Sequence, residues 1–143
     1  MSHVAKSTDY ELARVLLVDD DPASRLTLQT VLEAGGYNVD SAASAAEALD
    51  KLDEGNYSLV LSDLQMESPH AGLKVLAHAR MMDYKPATAL ITTYQNSKPS
   101  PARRRSSMLI KPQDLPELLE KVADLIGERA SRRLERQLRL ASA

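Results

Sequence analysis

Short apolar runs recur along the chain, each closed by polar residues. Val15–Val18, Leu59–Leu61, Ala89–Ile91 and Met108–Ile110 are three or four residues long. Such runs suit strands buried on both faces of a parallel sheet. Val39–Ala43 reads as a further, weaker strand. The stretches between carry helical spacing instead. Leu26, Leu28, Val31 and Leu32 form one predicted face, opened by Pro22 and stopped by Gly35-Gly36. Ser44 with Glu47 three residues later is a capping-box arrangement. Ala45, Ala48, Leu49 and Leu52 follow it up to Gly55-Asn56. Leu73, Val75, Leu76, Ala79 and Met82 predict a third helix, with Pro86 ending that region. Leu115, Leu118, Leu119, Val122, Leu125 and Ile126 predict a last, long one. Between residues 95 and 107, Pro99, Pro101 and three arginines argue against a regular helix.

Strands alternating with helices give a parallel sheet with helices on both faces, an α/β fold. Sites in such sheets form at the C-terminal ends of the strands, where strand order switches. Four predicted strands end there in polar residues: Asp19-Asp20-Asp21, Asp63, Thr92 and Lys111-Pro112. Their convergence in one crevice is the main functional signal.

Composition narrows the chemistry. The 143 residues fit one domain. Cysteine is absent, which excludes disulfides, thiolate zinc and a cysteine nucleophile. His3, His70 and His78 are too scattered for an imidazole metal cage. No apolar run reaches the ~18 residues of a membrane span, and no signal-peptide core opens the chain; a cytoplasmic protein is expected. Phe and Trp are absent and Tyr numbers five, so the core must be aliphatic. The net charge of -2 hides an asymmetry: residues 1–102 carry -6 and residues 103–143 carry +4.

Three carboxylates without His or Cys make a hard oxygen site, suited to Mg²⁺ rather than zinc. A carboxylate beside Mg²⁺ can attack phosphorus. Metal, a lysine ammonium and a threonine hydroxyl would then stabilise the phosphoryl oxygens. Asp21 before Pro22 reads better as a helix N-cap than as a ligand. Thr92 and Thr93 are both plausible, and spacing from the apolar run favours Thr92. His70 and His78 read as exposed loop and helix residues, and Met81-Met82 as core and rim filling.

The segments "VLLVDDDP", "LVLSDLQM", "ALITTYQ" and "LIKP", in that order over roughly residues 14 to 127, resemble the receiver domain of bacterial two-component response regulators. The resemblance implies a flavodoxin-like, doubly wound five-stranded parallel sheet in the order 2-1-3-4-5, a type for which the chemotaxis member of this family is a standard example. By position, Asp63 resembles the phosphoacceptor. Asp20 resembles the direct Mg²⁺ ligand, and Asp19 its neighbour acting through metal-bound water. Gln65 would offer its backbone carbonyl to the metal. Thr92 resembles the switch hydroxyl, and Lys111 the lysine that pairs with the acceptor, with a cis bond expected at Pro112. Implied partners are a sensor histidine kinase or histidine phosphotransfer protein and an output protein reached by protein contact.

The chain departs from that family in four places. Glu67 stands where a proline is usual, and the stretch to Gly72 is one residue longer than the family's pattern. Thr92 and Lys111 are 19 positions apart, about three fewer than usual. Met108 replaces the switch aromatic three residues before the lysine, while Tyr94 lies two after Thr92. The last helix runs past the normal end near Gly127.

The expected organisation is an N-terminal lead (1–13), a receiver (14–127) and a basic helical extension (128–143). Glu128–Arg132 and Glu135–Arg139 are i,i+4 pairs, and Ala130, Leu134 and Leu138 form a thin stripe. The extension reads as a linker or a helix for homodimer pairing. Nucleic-acid binding is a weaker reading, because no helix-turn-helix accompanies the arginines. Two other functions stay open: a phosphorylation-independent receiver-like adaptor, and an aspartate-nucleophile phosphohydrolase. Asp19-x-Asp21 mimics the start of the latter's motif, but Ala23 departs from it and 143 residues leave little room for a substrate cap.

Overall fold

The computed structural model describes residues 13–63, 66, 68, 70–91, 108–110 and 115–142. The strands are β1 (Arg14–Val18), β2 (Asn38–Ala42), β3 (Leu59–Asp63), β4 (Ala87–Ile91) and β5 (Met108–Ile110). The helices are α1 (Pro22–Ala34), α2 (Ala45–Glu54), α3 (Ala71–Arg80) and α4 (Leu115–Ser142). All strand pairs are parallel, in the order β2-β1-β3-β4-β5.

Alternate strand residues feed two cores, as the pleat requires. Leu16, Val18, Val60 and Leu90 pack under α2 and α3 with Ala48, Leu52, Val75 and Leu76. Val15, Leu17, Leu59, Leu61 and Ile91 pack under α1 and α4 with Leu28, Leu32, Leu118 and Val122. Burial on both faces explains why the central strands read as unbroken apolar runs.

Local chemistry sets the helix ends. The Asp21 carboxylate accepts from the Ser24 N–H at 3.0 Å, and Pro22 follows in the first turn. Ser44 Oγ accepts from the Glu47 N–H at 3.1 Å. The reciprocal bond runs from the Ala43 N–H to Glu47, one residue earlier than the box places it. Gly35 closes α1; a Cβ there would lie 2.8 Å from Leu119 Cδ2, so glycine lets α4 approach.

Two apolar expectations fail. Leu26 is 66% exposed, because it lies about 160° round α1 from Leu28 and about 120° from Leu32. Met81 is 75% exposed past the end of α3, whereas Met82 packs on the α2–α3 core. An anchor outside the apolar runs is Tyr57, 2% exposed. Its hydroxyl donates to Asp40 at 2.7 Å, its ring meets Tyr84 edge-on at 6.5 Å, and the Arg14 guanidinium lies 4.9 Å from its centroid. Arg14 also donates to Asp40. Partial burial works to raise the Asp40 pKa, but the hydrogen bonds from Tyr57 and Arg14 outweigh it, and the net shift is downward.

α4 is one unbroken helix of 28 residues, about 42 Å long. Its first half covers the sheet. At the edge of the body Arg129 is 7% exposed. It donates to Lys85 O at 2.9 Å and Tyr84 O at 2.7 Å, and more distantly to Ser58 Oγ at 3.4 Å. Beyond it Leu134 and Leu138 face solvent. Of the two expected ion pairs, Glu135–Arg139 forms at 3.9 Å. Glu128–Arg132 does not close to ion-pair distance. No helix among the described residues is long and apolar enough to cross a membrane.

Candidate phosphoacceptor and metal site

The parallel sheet brings one end of every strand to one edge. Val18 pairs with Ser62, so Asp19 and Asp63 follow at the same level on adjacent strands. Asp63 pairs in turn with Ile91, and Ile91 with Ile110. Thr92 and Lys111 directly follow those two residues in sequence, but both lie outside the described residues, as do Gln65, Glu67, Tyr94 and Pro112.

Asp19, Asp20 and Asp63 form one cluster, each offering a carboxylate oxygen within 4.8 Å of the others. Asp19 is 1% exposed and Asp63 3%, while Asp20 faces solvent. The Asp19 backbone is fixed by its N–H on Ala42 O at 3.0 Å and by Arg25 Nη1 on its carbonyl at 2.7 Å. Its Oδ1 accepts from the Asp21 N–H at 3.0 Å. Its Oδ2 is buried without a hydrogen-bond partner.

The unpartnered oxygen of Asp19 leaves this arrangement unfinished at that atom. Two buried carboxylates at this separation repel by about 3 kcal/mol at an effective dielectric near 20. A buried anionic oxygen without a donor adds a desolvation cost. A cation held by the cluster answers both, and an all-oxygen donor set fits Mg²⁺. The residues present therefore fit that metal.

Asp63 is held from behind by glycine. A Cβ on Gly72 would lie 2.4 Å from the Asp63 carbonyl oxygen, so the start of α3 approaches the end of β3 more closely than any side chain permits. Arg25 and Gly72 are thus supporting residues that the sequence pattern left unmarked. Their signals are slight: one arginine in the first turn after an acidic run, and one glycine inside a helix.

A family model described as the response regulator receiver domain matches residues 15–123. The chain belongs to that family. The receiver is similar to the response regulator TrrA of Thermotoga maritima, solved in complex with Mg²⁺-BeF: 33% identity, TM-score 0.70, 80% of this chain and 99% of that one. A CheY-like receiver from Methanospirillum hungatei JF-1 gives 27% identity and TM-score 0.70, over 85% and 98%. The transcriptional regulatory protein GlrR of Escherichia coli K12 is 31% identical over 124 residues, 85% of this chain and 28% of that protein. The gliding motility regulatory protein of Myxococcus xanthus is 38% identical over 78 residues, and YkoG of Bacillus subtilis 37% over 82. The receiver spans 10% to 36% of the length of these three relatives.

Proposed function

We propose that this receiver accepts a phosphoryl group on Asp63, with Mg²⁺ held by Asp19, Asp20 and Asp63, and signals by protein contact. The observation that carries the proposal is the buried, partnerless Asp19 Oδ2 inside a three-carboxylate cluster at the strand ends. Receiver domains are phosphoacceptors of two-component systems and interact with sensor kinases and output domains. The donor is then a phosphohistidine of a sensor kinase or phosphotransfer protein, and the compartment the cytoplasm.

In the transfer, an Asp63 carboxylate oxygen forms a bond to phosphorus. The phosphorus–nitrogen bond of the donor breaks, and the histidine leaves with that electron pair. When bound, Mg²⁺ supplies positive charge that offsets the carboxylates and the phosphoryl oxygens. Asp20 and Asp63 would hold it directly and Asp19 through metal-bound water, and the Gln65 carbonyl would complete the protein's share. Lys111 would pair with the acceptor, and the Thr92 hydroxyl would donate to a phosphoryl oxygen, as the family resemblance implies. The Arg25 hydrogen bond and the Asp21 N–H fix Asp19, so the cluster is ordered before the donor arrives.

The frame for this chemistry is the doubly wound sheet with β5 as its short fifth strand. We assign residues 1–13 as a lead, 14–127 as the receiver and 128–143 as an extension of its last helix. Met108 in place of the switch aromatic alters how Thr92 couples to the surface, so the readout differs while the acceptor chemistry is kept.

Incubation with acetyl phosphate and Mg²⁺, read by intact mass, tests the proposal. One added phosphoryl group is expected on the wild type and none on Asp63→Asn. An unchanged adduct on Asp63→Asn overturns the assignment. Wild type without an adduct favours the phosphorylation-independent adaptor.

A further inference from the structure

At the opposite end of the sheet from the carboxylates, the structure holds a second charged feature, of the other sign. Ser58 precedes β3 and Asp63 ends it, a separation of about 16 Å along the strand. Beside that far end, the α3–β4 loop and the outer part of α4 enclose a groove of about 220 Å³. Asp83, Tyr84 and Lys85 form one wall, and Arg133, Arg136 and Leu140 the other.

Three cations therefore face one carboxylate. Among the described residues neither Arg133 nor Arg136 makes an ion pair. Among the described residues Lys85 Nζ reaches only the Arg80 carbonyl, at 3.5 Å. The walls are fixed to each other by Arg129, whose guanidinium spends its close donors on Tyr84 O and Lys85 O. Lys85 is held with φ at +45°, a left-handed conformation that costs a non-glycine residue energy. Burial, and after it the charges of Arg133, Arg132 and Arg136, lower the Arg129 pKa.

We propose that this groove is a preorganised docking site for an acidic segment of a partner protein, with carboxylates on Lys85, Arg133 and Arg136 and an apolar side chain against Leu140. The lining mixes Asp83 and Leu140 with the cations, which favours a peptide over a nucleic acid: a duplex binds along a row of phosphate contacts, and a single strand stacks on free aromatic faces. Tyr84 offers none: its hydroxyl donates to Leu52 O at 2.7 Å and its ring is taken up by Tyr57. A second copy of this helix brings five arginines against two glutamates over residues 128–140, so it matches the groove's charge less well than an acidic segment does. The site is independent of the phosphoacceptor assignment.

The test is fluorescence anisotropy with a labelled peptide of glutamates interspersed with leucine, against the full chain. Wild type should bind it. Arg133→Glu/Arg136→Glu should weaken binding by at least about tenfold, with added salt acting in the same direction. Arg133→Lys/Arg136→Lys should stay within about threefold of wild type, since the charges remain. Asp63→Asn should bind like wild type. If circular dichroism shows helix loss in the glutamate pair, Arg133→Gln/Arg136→Gln decides instead. Absence of wild-type binding, equal binding by the charge-reversed pair, or tighter binding of an oligonucleotide of equal charge overturns the proposal. So does a concentration-dependent mass abolished by the same reversal, which would give the groove to a second copy.

Discussion

Replacing Arg129 with methionine keeps the aliphatic stem and removes the guanidinium. Two backbone carbonyls, Tyr84 O and Lys85 O, then lose charged donors at 2.7 and 2.9 Å. Each is a hydrogen bond from a charged group to a part-buried carbonyl, worth about 1.5–3 kcal/mol. The third contact, to Ser58 Oγ at 3.4 Å, is too long to add much. Against this stands relief: burial of the guanidinium and the repulsion from Arg133, Arg132 and Arg136 disappear. The net expectation is a loss of about 2–4 kcal/mol. With a urea slope near 2 kcal/mol/M, the unfolding midpoint should fall by about 1–2 M. Arg132→Ala, on the exposed side of the same turn, should change stability by less than about 0.5 kcal/mol. Equal effects of the two substitutions would refute the clamp, and with it the claim that the middle of α4 is anchored to the body.

Gly72→Ala should displace α3 from the Asp63 carbonyl and cost about 1–3 kcal/mol in urea unfolding, since the contacted atom is backbone and cannot rotate away. Mg²⁺ at a hundredfold excess over its Kd should stabilise the wild type by about 2.7 kcal/mol in thermal unfolding, and Asp19→Asn should lose most of that gain. The folded Asp40 pKa lies below its unfolded value, so its contribution is present above about pH 4. It is lost as pH falls through the depressed folded value. The stability gap between wild type and Asp40→Asn should therefore close as pH drops from 6 toward 3, and because the pair is partly exposed the gap stays below about 1 kcal/mol.

The layering was legible because each determinant is local. Val15–Val18 and Leu59–Leu61 announce two-sided burial by being unbroken, and Asp21, Pro22 and Ser44 mark helix starts by hydrogen bonds within a few residues. The carboxylate cluster was legible because parallel strands carry their C-terminal residues to one edge. What escaped depends on contacts far apart in sequence. Arg129 looks like any other arginine in a basic run, yet it meets residues 44 and 45 positions away. Tyr57 sits outside every apolar run and is buried by partners at positions 14, 40 and 84. Leu26 was misplaced because apolar residues two apart were put on one helix face, where the helical repeat separates them.

The central claim is that Asp63 takes the phosphoryl group in a carboxylate-held Mg²⁺ site. Borohydride reduction of the phosphorylated protein, followed by peptide mapping, tests it most directly, because an acyl phosphate on aspartate is converted to homoserine. Homoserine is expected at position 63 alone, and none when Mg²⁺ is chelated before the phosphodonor is added. Homoserine at another aspartate, or labelling at position 63 that is indifferent to chelation, would contradict it.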